Sequence, residues 1–294
     1  MLPVVRKSLI KLLFKYAPPE MVILLKSLNS SLKSQNGKPF PHRNISISDS
    51  VQSGKVLILA PHPDDEAIGM GGVLSMHLEN NDEVTVLYMT NGKGAGNSSG
   101  ELVAIRRKEA ESLGKNFGIS QIFWKFDDTC LTNDKVTVSA LINVLDQVHP
   151  AIIYVPSFFD HHYDHFSANQ ILIDALKNIS PAQLIVAGYE VWDQIPFPNH
   201  IVDISRYFEQ KSRLLAHYST PLKTTDFIKL CKYRNALHFF LYLDSARKES
   251  EGYAEAFCWF DYKTYMELYH QYLKTLKEHH SRLPSHLIDR GLLI

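Results

Sequence analysis

The sequence is short of cysteine, carries no surplus of charge of either sign and contains no long apolar run. Its three cysteines among 294 residues, Cys130, Cys231 and Cys258, lie far apart without C-x-x-C spacing. They form neither a disulfide framework nor a thiolate zinc site, and they fit a reducing, cytoplasmic compartment. Lysine plus arginine number 31, as do aspartate plus glutamate. The basic excess usual in nucleic-acid binders is missing, so no nucleic-acid partner is expected. No stretch approaches the roughly 20 apolar residues of a bilayer span. The first residues also lack a clean signal-peptide core, because Arg6, Lys7, Lys11 and Lys15 interrupt it. Histidine, by contrast, is plentiful at fourteen residues, so any bound metal would be held through nitrogen and oxygen.

The same four cations sit among Leu9, Ile10, Leu12, Leu13 and Phe14, before Pro18 and Pro19. That pattern predicts a short basic amphipathic helix. It would lie on an anionic membrane surface at the inner face, or pack against the chain's own domain or a partner subunit, the more ordinary arrangement. "SLKSQNGKPFPHRN", Ser31 to Asn44, reads as a polar, turn-rich linker. Residues 1–50 are therefore expected to be an extension and linker, and residues 51–294 one domain.

From Lys55 onward apolar runs alternate with stretches of helical spacing. "KVLILA", "EVTVLYMT", "QIFWKF", "AIIYVP", "QLIVAGYEVW" and "HIVDIS" read as strands; Glu101–Phe117, Lys135–Val148, Ser167–Asn178 and Arg206–Tyr218 read as helices. This alternation predicts an α/β fold, a Rossmann-like doubly wound, mostly parallel sheet covered on both faces. From Thr220 the pattern turns helical and aromatic, which predicts a C-terminal helical appendage closing one edge.

Ligands of such sheets bind outside the carboxyl ends of the strands. Two stretches rich in ionisable groups leave strands at that edge: "PHPDDE" (Pro61 to Glu66) after "KVLILA", and "DHHYDH" (Asp160 to His165) after "AIIYVP". Crowded carboxylates are costly to bury unless a cation sits among them. His62 and Asp65, three apart at a strand-to-helix junction, can reach one ion, and His165 offers a third ligand. Three protein ligands leave a position open, as in catalytic zinc sites. Asp64 would then be free to act as a base. "TNGKGAGNSSG", Thr90 to Gly100, reads equally as a mobile loop at the pocket mouth or an exposed turn. Gly69, Gly71 and Gly72 fit close packing of helix on sheet better than a dinucleotide fingerprint. His77, His149, His200, His238, His279 and His280 read as structural, and His217 as a helix cap or a pocket residue. Tyr189, Glu190 and Trp192 could line a sugar site or pack in the core.

These residues resemble the LmbE-like, or PIG-L, family of zinc-dependent de-N-acetylases. "PHPDDE" and "HHYDH" carry the resemblance, supported by "RRKEAESLG", "VDISRYFEQKSRLLAHYST" and "YAEAF" around Glu255. It implies Zn2+ held by His62, Asp65 and His165, with Asp64 as general base. It implies a protonated His162 stabilising the reacting amide, Asp164 orienting that imidazole, and Arg106 contacting substrate. The implied substrate is an N-acetylglucosamine-containing conjugate that loses acetate; homo-oligomerisation stays open. Tyr163 stands where the family often has proline, and Thr220 where glutamine is usual. Two other readings remain: an iron(II) facial-triad oxygenase using His62 and Asp64, and a non-catalytic sugar-binding or membrane-peripheral module.

Overall fold

A computed structural model describes residues 45–94, 100–179, 181, 183–243 and 251–278. Eight strands form one mixed sheet in the order β1-β7-β8-β6-β5-β2-β3-β4. The strands are β1 (Ser46–Ser48), β2 (Val56–Ala60), β3 (Val84–Thr90), β4 (Ser120–Phe126), β5 (Ile152–Pro156), β6 (Ile185–Tyr189), β7 (His200–Asp203) and β8 (Ala254–Asp261). All neighbours are parallel except β8, which runs antiparallel to both β6 and β7. The helices are α1 (Asp65–Glu79), α2 (Gly100–Phe117), α3 (Lys135–Val148), α4 (Tyr163–Leu176), α5 (Phe208–Ala216), α6 (Ser219–Leu222), α7 (Phe227–Tyr242) and α8 (Tyr262–Glu278).

The central strand β2, "VLILA", is wholly buried. Its side chains alternate between two cores: Leu57 and Leu59 join Leu141, Phe166 and Tyr265, while Val56, Ile58 and Ala60 join Ile68, Leu74 and Leu214. A strand covered on both faces can be continuously apolar, which is why its sequence lacks polar alternation. From β2 the sheet grows through β3 and β4 on one side and through β5 and β6 on the other. The reversal of direction lies between β2 and β5, so their carboxyl ends bound a crevice. Both ionisable stretches leave from those two ends.

The carboxyl-terminal third departs from the expected appendage. Its helices are present, but "AEAFCWFD" forms β8 inside the sheet, between β6 and β7. Ser46–Ser48 also pairs with His200–Val202 as the sheet's edge, so the sheet begins within the stretch expected to be extension and linker. The amphipathic-helix and linker readings, along with His279 and His280, lie outside the described residues.

Helix α1 is broken at Met70 (φ −141, ψ 25), and charged side chains enter the gap. The Gly72 and Val73 N–H groups donate to Glu255 at 2.9 Å each. The freed Ile68 carbonyl accepts from Lys211 Nζ at 2.9 Å and Arg234 at 3.0 Å. Lys211 and Glu255 pair at 2.7 Å, with neither measurably exposed to solvent. Glycine is required here for approach: a Cβ on Gly72 would stand 2.6 Å from Ile204, and one on Gly69 would stand 2.1 Å from Tyr189. The helix thus packs on its neighbours as the glycine run suggests.

Candidate active site

The turn from β2 into α1 is tight. Asp64 adopts φ 128, a region a non-glycine residue occupies only when its surroundings enforce it. Its carbonyl accepts the first helical hydrogen bonds, from Ala67 and Ile68. This geometry sends Asp65 inward and turns Asp64 to the other side. On the facing loop, Asp160 Oδ1 accepts the His162 N–H at 3.0 Å, and Asp160 Oδ2 accepts the Trp192 N–H at 2.9 Å. His162 caps α4 and His165 sits in its first turn.

His62, Asp65 and His165 meet at one point. His62 Nδ1 lies 3.3 Å from Asp65 Oδ2, His165 Nε2 lies 3.3 Å from the same oxygen, and the two nitrogens are 3.4 Å apart. Donors about 2.0–2.1 Å from a tetrahedral zinc ion stand about 3.3–3.4 Å from one another, because a tetrahedron's edge is about 1.6 bond lengths. Two imidazole nitrogens and one carboxylate oxygen at that spacing fit a zinc-type ion with an open position. His162 also brings a ring nitrogen within metal-ligand range of His62 and His165.

The opposite nitrogen, His62 Nε2, faces Asp164 Oδ2 at 2.9 Å and Asp128 Oδ1 at 3.3 Å. That trio also has ligand spacing. Its oxygens are committed elsewhere, however: Asp164 accepts the Thr129 and Leu131 N–H groups, and Asp128 accepts that of Gly94. These carboxylates orient the His62 ring from behind, as partners of metal-ligating histidines do. Asp160 Oδ1 also stands 3.2 Å from His165 Nδ1, an ion-pair contact without hydrogen-bond alignment.

The electrostatics match the crowding. Burial alone would lower His165, but Asp160 and Asp65 lift it to about 10. His62 is likewise raised, despite burial, by Asp65 and the Asp128 and Asp164 hydrogen bonds. Asp65 is held far below the carboxylate range by those two imidazoles, against the opposing effect of burial. Without a metal, protons on His62 and His165 therefore supply the cation that the carboxylates need. Burial pushes Asp64 up to about 8, against the pull of the Arg106 guanidinium.

Three side chains stand differently from the sequence-based expectation. Burial and the neighbouring imidazoles of His165 and His62 push His162 down to about 4 in the metal-free protein, a direction that favours its neutral form. Its Nδ1 accepts the Asp164 N–H at 3.3 Å, which leaves the proton on Nε2. The Asp164 carboxylate lies on His62, and only its backbone holds His162. Arg106 donates to Asp64 Oδ2 at 3.0 Å and to the Pro63 and Gly92 carbonyls, so its guanidinium steadies Asp64. Behind the turn, Glu66 is buried against the Tyr88 and Tyr218 hydroxyls and is raised by that burial to about 7.

The sequence alone does not single out Asp128, and it gives Asp160 a place in the second stretch but no role. The signal for Asp128 was its position: "FDD" leaves β4 at the same sheet edge. Among the other candidates, His77 bonds Asp82 and Tyr154 in the core, and His217 caps α5 through the Arg213 carbonyl. Tyr189 is fully buried and Glu190 is buried against His238, leaving Trp192 half exposed. In the glycine-rich loop, Gly94 is tied to Asp128; residues 95–99 lie outside the described set.

A mostly parallel α/β sheet with a histidine–aspartate donor set at its switch point defines a protein of LmbE-like architecture. Residues 57–176 match the family described as PIG-L, GlcNAc-PI de-N-acetylase. The diacetylchitobiose deacetylase of Thermococcus kodakarensis is 32% identical over 179 residues, covering 54% of this chain and 67% of that protein. The chain belongs to this family. The structure of the N,N'-diacetylchitobiose deacetylase from Pyrococcus horikoshii superposes with a TM-score of 0.57 at 25% identity, over 71% of this chain and 85% of that one. The 4-carboxy-2-hydroxymuconate hydratase of Pseudomonas putida superposes at 0.59 with 18% identity, over 71% and 96%. That likeness concerns the fold alone, and it warns that the fold does not by itself fix the reaction.

Proposed function

We propose that this protein is a zinc-dependent hydrolase that removes the acetyl group from an N-acetylglucosamine-containing conjugate, releasing acetate and a free amino sugar. The observation that carries this reading is the triangle of His62 Nδ1, Asp65 Oδ2 and His165 Nε2, with Asp64 held beside it by Arg106. His62, Asp65 and His165 would hold the ion. When bound, zinc lowers the pKa of a coordinated water and polarises a carbonyl oxygen.

The chain supplies the rest. Burial favours the protonated form of Asp64, whereas the Arg106 guanidinium, and the charge of an ion held by His62, Asp65 and His165, would favour its carboxylate. As the carboxylate, Asp64 takes a proton from the attacking water, which adds to the acetamide carbonyl carbon. Arg106 fixes the angle of that carboxylate. The His162 Nε2–H donates a hydrogen bond to the oxygen on which negative charge develops, a preorganised electrostatic contribution of the oxyanion-hole kind. The C–N bond then breaks, and the proton held by Asp64 passes to the departing nitrogen. Asp164 and Asp128 keep the His62 ring in register.

The oxygenase reading built on His62 and Asp64 finds that carboxylate turned to Arg106. His62, Asp65 and His165 are themselves two imidazoles and one carboxylate, a set that also accepts iron(II), so the oxygen requirement of turnover separates the two readings. The test is to incubate the zinc-loaded protein with N,N'-diacetylchitobiose and a panel of N-acetylglucosamine conjugates, measuring acetate and primary amine. Stoichiometric release of both, abolished by a chelator and restored by zinc, is expected. Release of neither across the panel, or turnover that requires oxygen, would contradict the proposal.

A further inference from the structure

Helix α7 carries a second surface feature, made of residues that take no part in the proposed chemistry. Leu230, Tyr233, Leu237 and Phe240 are all substantially exposed, Tyr233 at 63% and Phe240 at 53%. At about 100° per residue, spacings of three, seven and ten place them in one stripe roughly 80° wide. The opposite face, including Cys231, Arg234, His238 and Phe239, is buried in the domain. A soluble helix ordinarily reverses this arrangement, leaving polar residues outward. Four large apolar side chains in one row are more than scattered surface hydrophobics account for.

The surrounding charge selects the occupant. Between Phe227 and Tyr242 the helix contains Lys229, Lys232, Arg234 and His238 and no acidic residue. Lys229 and Lys232 are exposed beside the stripe. Near the helix start, Trp192 is half exposed and meets Phe227 edge-on at 5.6 Å. Near its end, Ile45 packs with the cluster of Phe239, Tyr242 and Leu243. Residues 1–44, which join the fold there, hold eight lysines and arginines against a single acid, Glu20. A second copy of α7 would bring like charges together, and so would that basic segment. We infer that α7, with Trp192 at its head, docks peripherally on an anionic lipid surface. Leucine and aromatic side chains enter the interface while lysines meet the headgroups. No helix among the described residues is long and apolar enough to cross a membrane, so the contact is one of lying on the bilayer. Because Trp192 also gives its N–H to Asp160 behind His165, the docked face adjoins the proposed catalytic crevice.

The test uses the full chain, sedimented with vesicles of phosphatidylcholine alone or of equimolar phosphatidylcholine and phosphatidylglycerol. Partition onto the anionic vesicles only, weakened by salt, is expected. Leu237→Glu/Phe240→Glu, at exposed positions and checked by an unchanged thermal melt, should lower partition about tenfold or more. Lys229→Gln/Lys232→Gln should lower it less and flatten the salt dependence. Absence of partition by the unaltered chain would overturn the inference. So would binding that survives the α7 changes, which would place the lipid contact elsewhere, or a gel-filtration shift showing that those changes split a dimer. None of these readouts depends on the reaction, so this inference can fail while the deacetylase proposal stands, and the reverse.

Discussion

Two regions of this molecule bury clustered charge, and they are neutralised in opposite ways. At the break in α1, Lys211 and Arg234 are matched by Glu255 and Glu190, with His238 on Glu190, and the backbone groups freed at Met70 take up further hydrogen-bond capacity. Every cation there is built into the chain. At the sheet edge, Asp64, Asp65, Asp128, Asp160 and Asp164 crowd around His62 and His165, with Arg106 the permanent cation bonded there. That cluster balances only by retaining extra protons or by holding a metal ion. A closed charge set serves structure, whereas an open one is equipped to bind.

The comparison can be broken from either side. Lys211→Ala strips the fully buried Glu255 of its partner and should cost about 3–5 kcal/mol of stability by urea denaturation, with zinc content unchanged in the folded fraction. A mild effect would mean that the α1 cluster is not closed in this sense. On the open side, His162→Ala removes one donor from the developing negative charge and should lower kcat by about 10²–10³ while zinc remains bound. Unaltered turnover would remove His162 from the mechanism. Asp128→Asn withdraws the charge that faces His62 Nε2 while leaving an oxygen to accept the Gly94 N–H, and should weaken zinc affinity by about 10–100-fold; unchanged affinity in a chelator competition would deny that role.

Proton dependence sharpens the contrast further. His165 is raised to about 10 in the metal-free protein, so the stability it contributes is complete below its ordinary value of about 6.5 and is lost as pH rises toward 10. Asp64, raised to about 8, costs stability progressively as pH climbs above the ordinary carboxyl range. Both act in one direction. Thermal melts of chelator-treated protein should therefore fall between pH 6.5 and 10, and zinc should flatten that slope. Parallel melting curves with and without zinc would count against protons and metal sharing one site.

Much of this was legible in the sequence, because strand ends and turn residues are local. "KVLILA" followed by "PHPDDE", and "AIIYVP" followed by "DHHYDH", suffice to place His62, Asp64, Asp65, His162 and His165 at one sheet edge. What stayed hidden depended on distant pairing. Nothing near "AEAFCWFD" announces that it will run antiparallel between β6 and β7, and aromatic neighbours made it resemble the helices around it. Asp128 is one aspartate of many until β4 pairs with β3 and carries its loop to His62. The role of Asp164 divided in a way that spacing cannot express, its backbone going to one histidine and its carboxylate to another.

The most direct test of the central claim is calorimetric titration of the metal-free protein with zinc at pH 7, in two buffers of different ionisation enthalpy, alongside the Asp65→Ala variant. Saturation at one ion per chain, with net proton release as His62 and His165 exchange protons for metal, and no saturable binding by the variant, is the expected result. Binding without proton release, or binding that the variant retains undiminished, would contradict it.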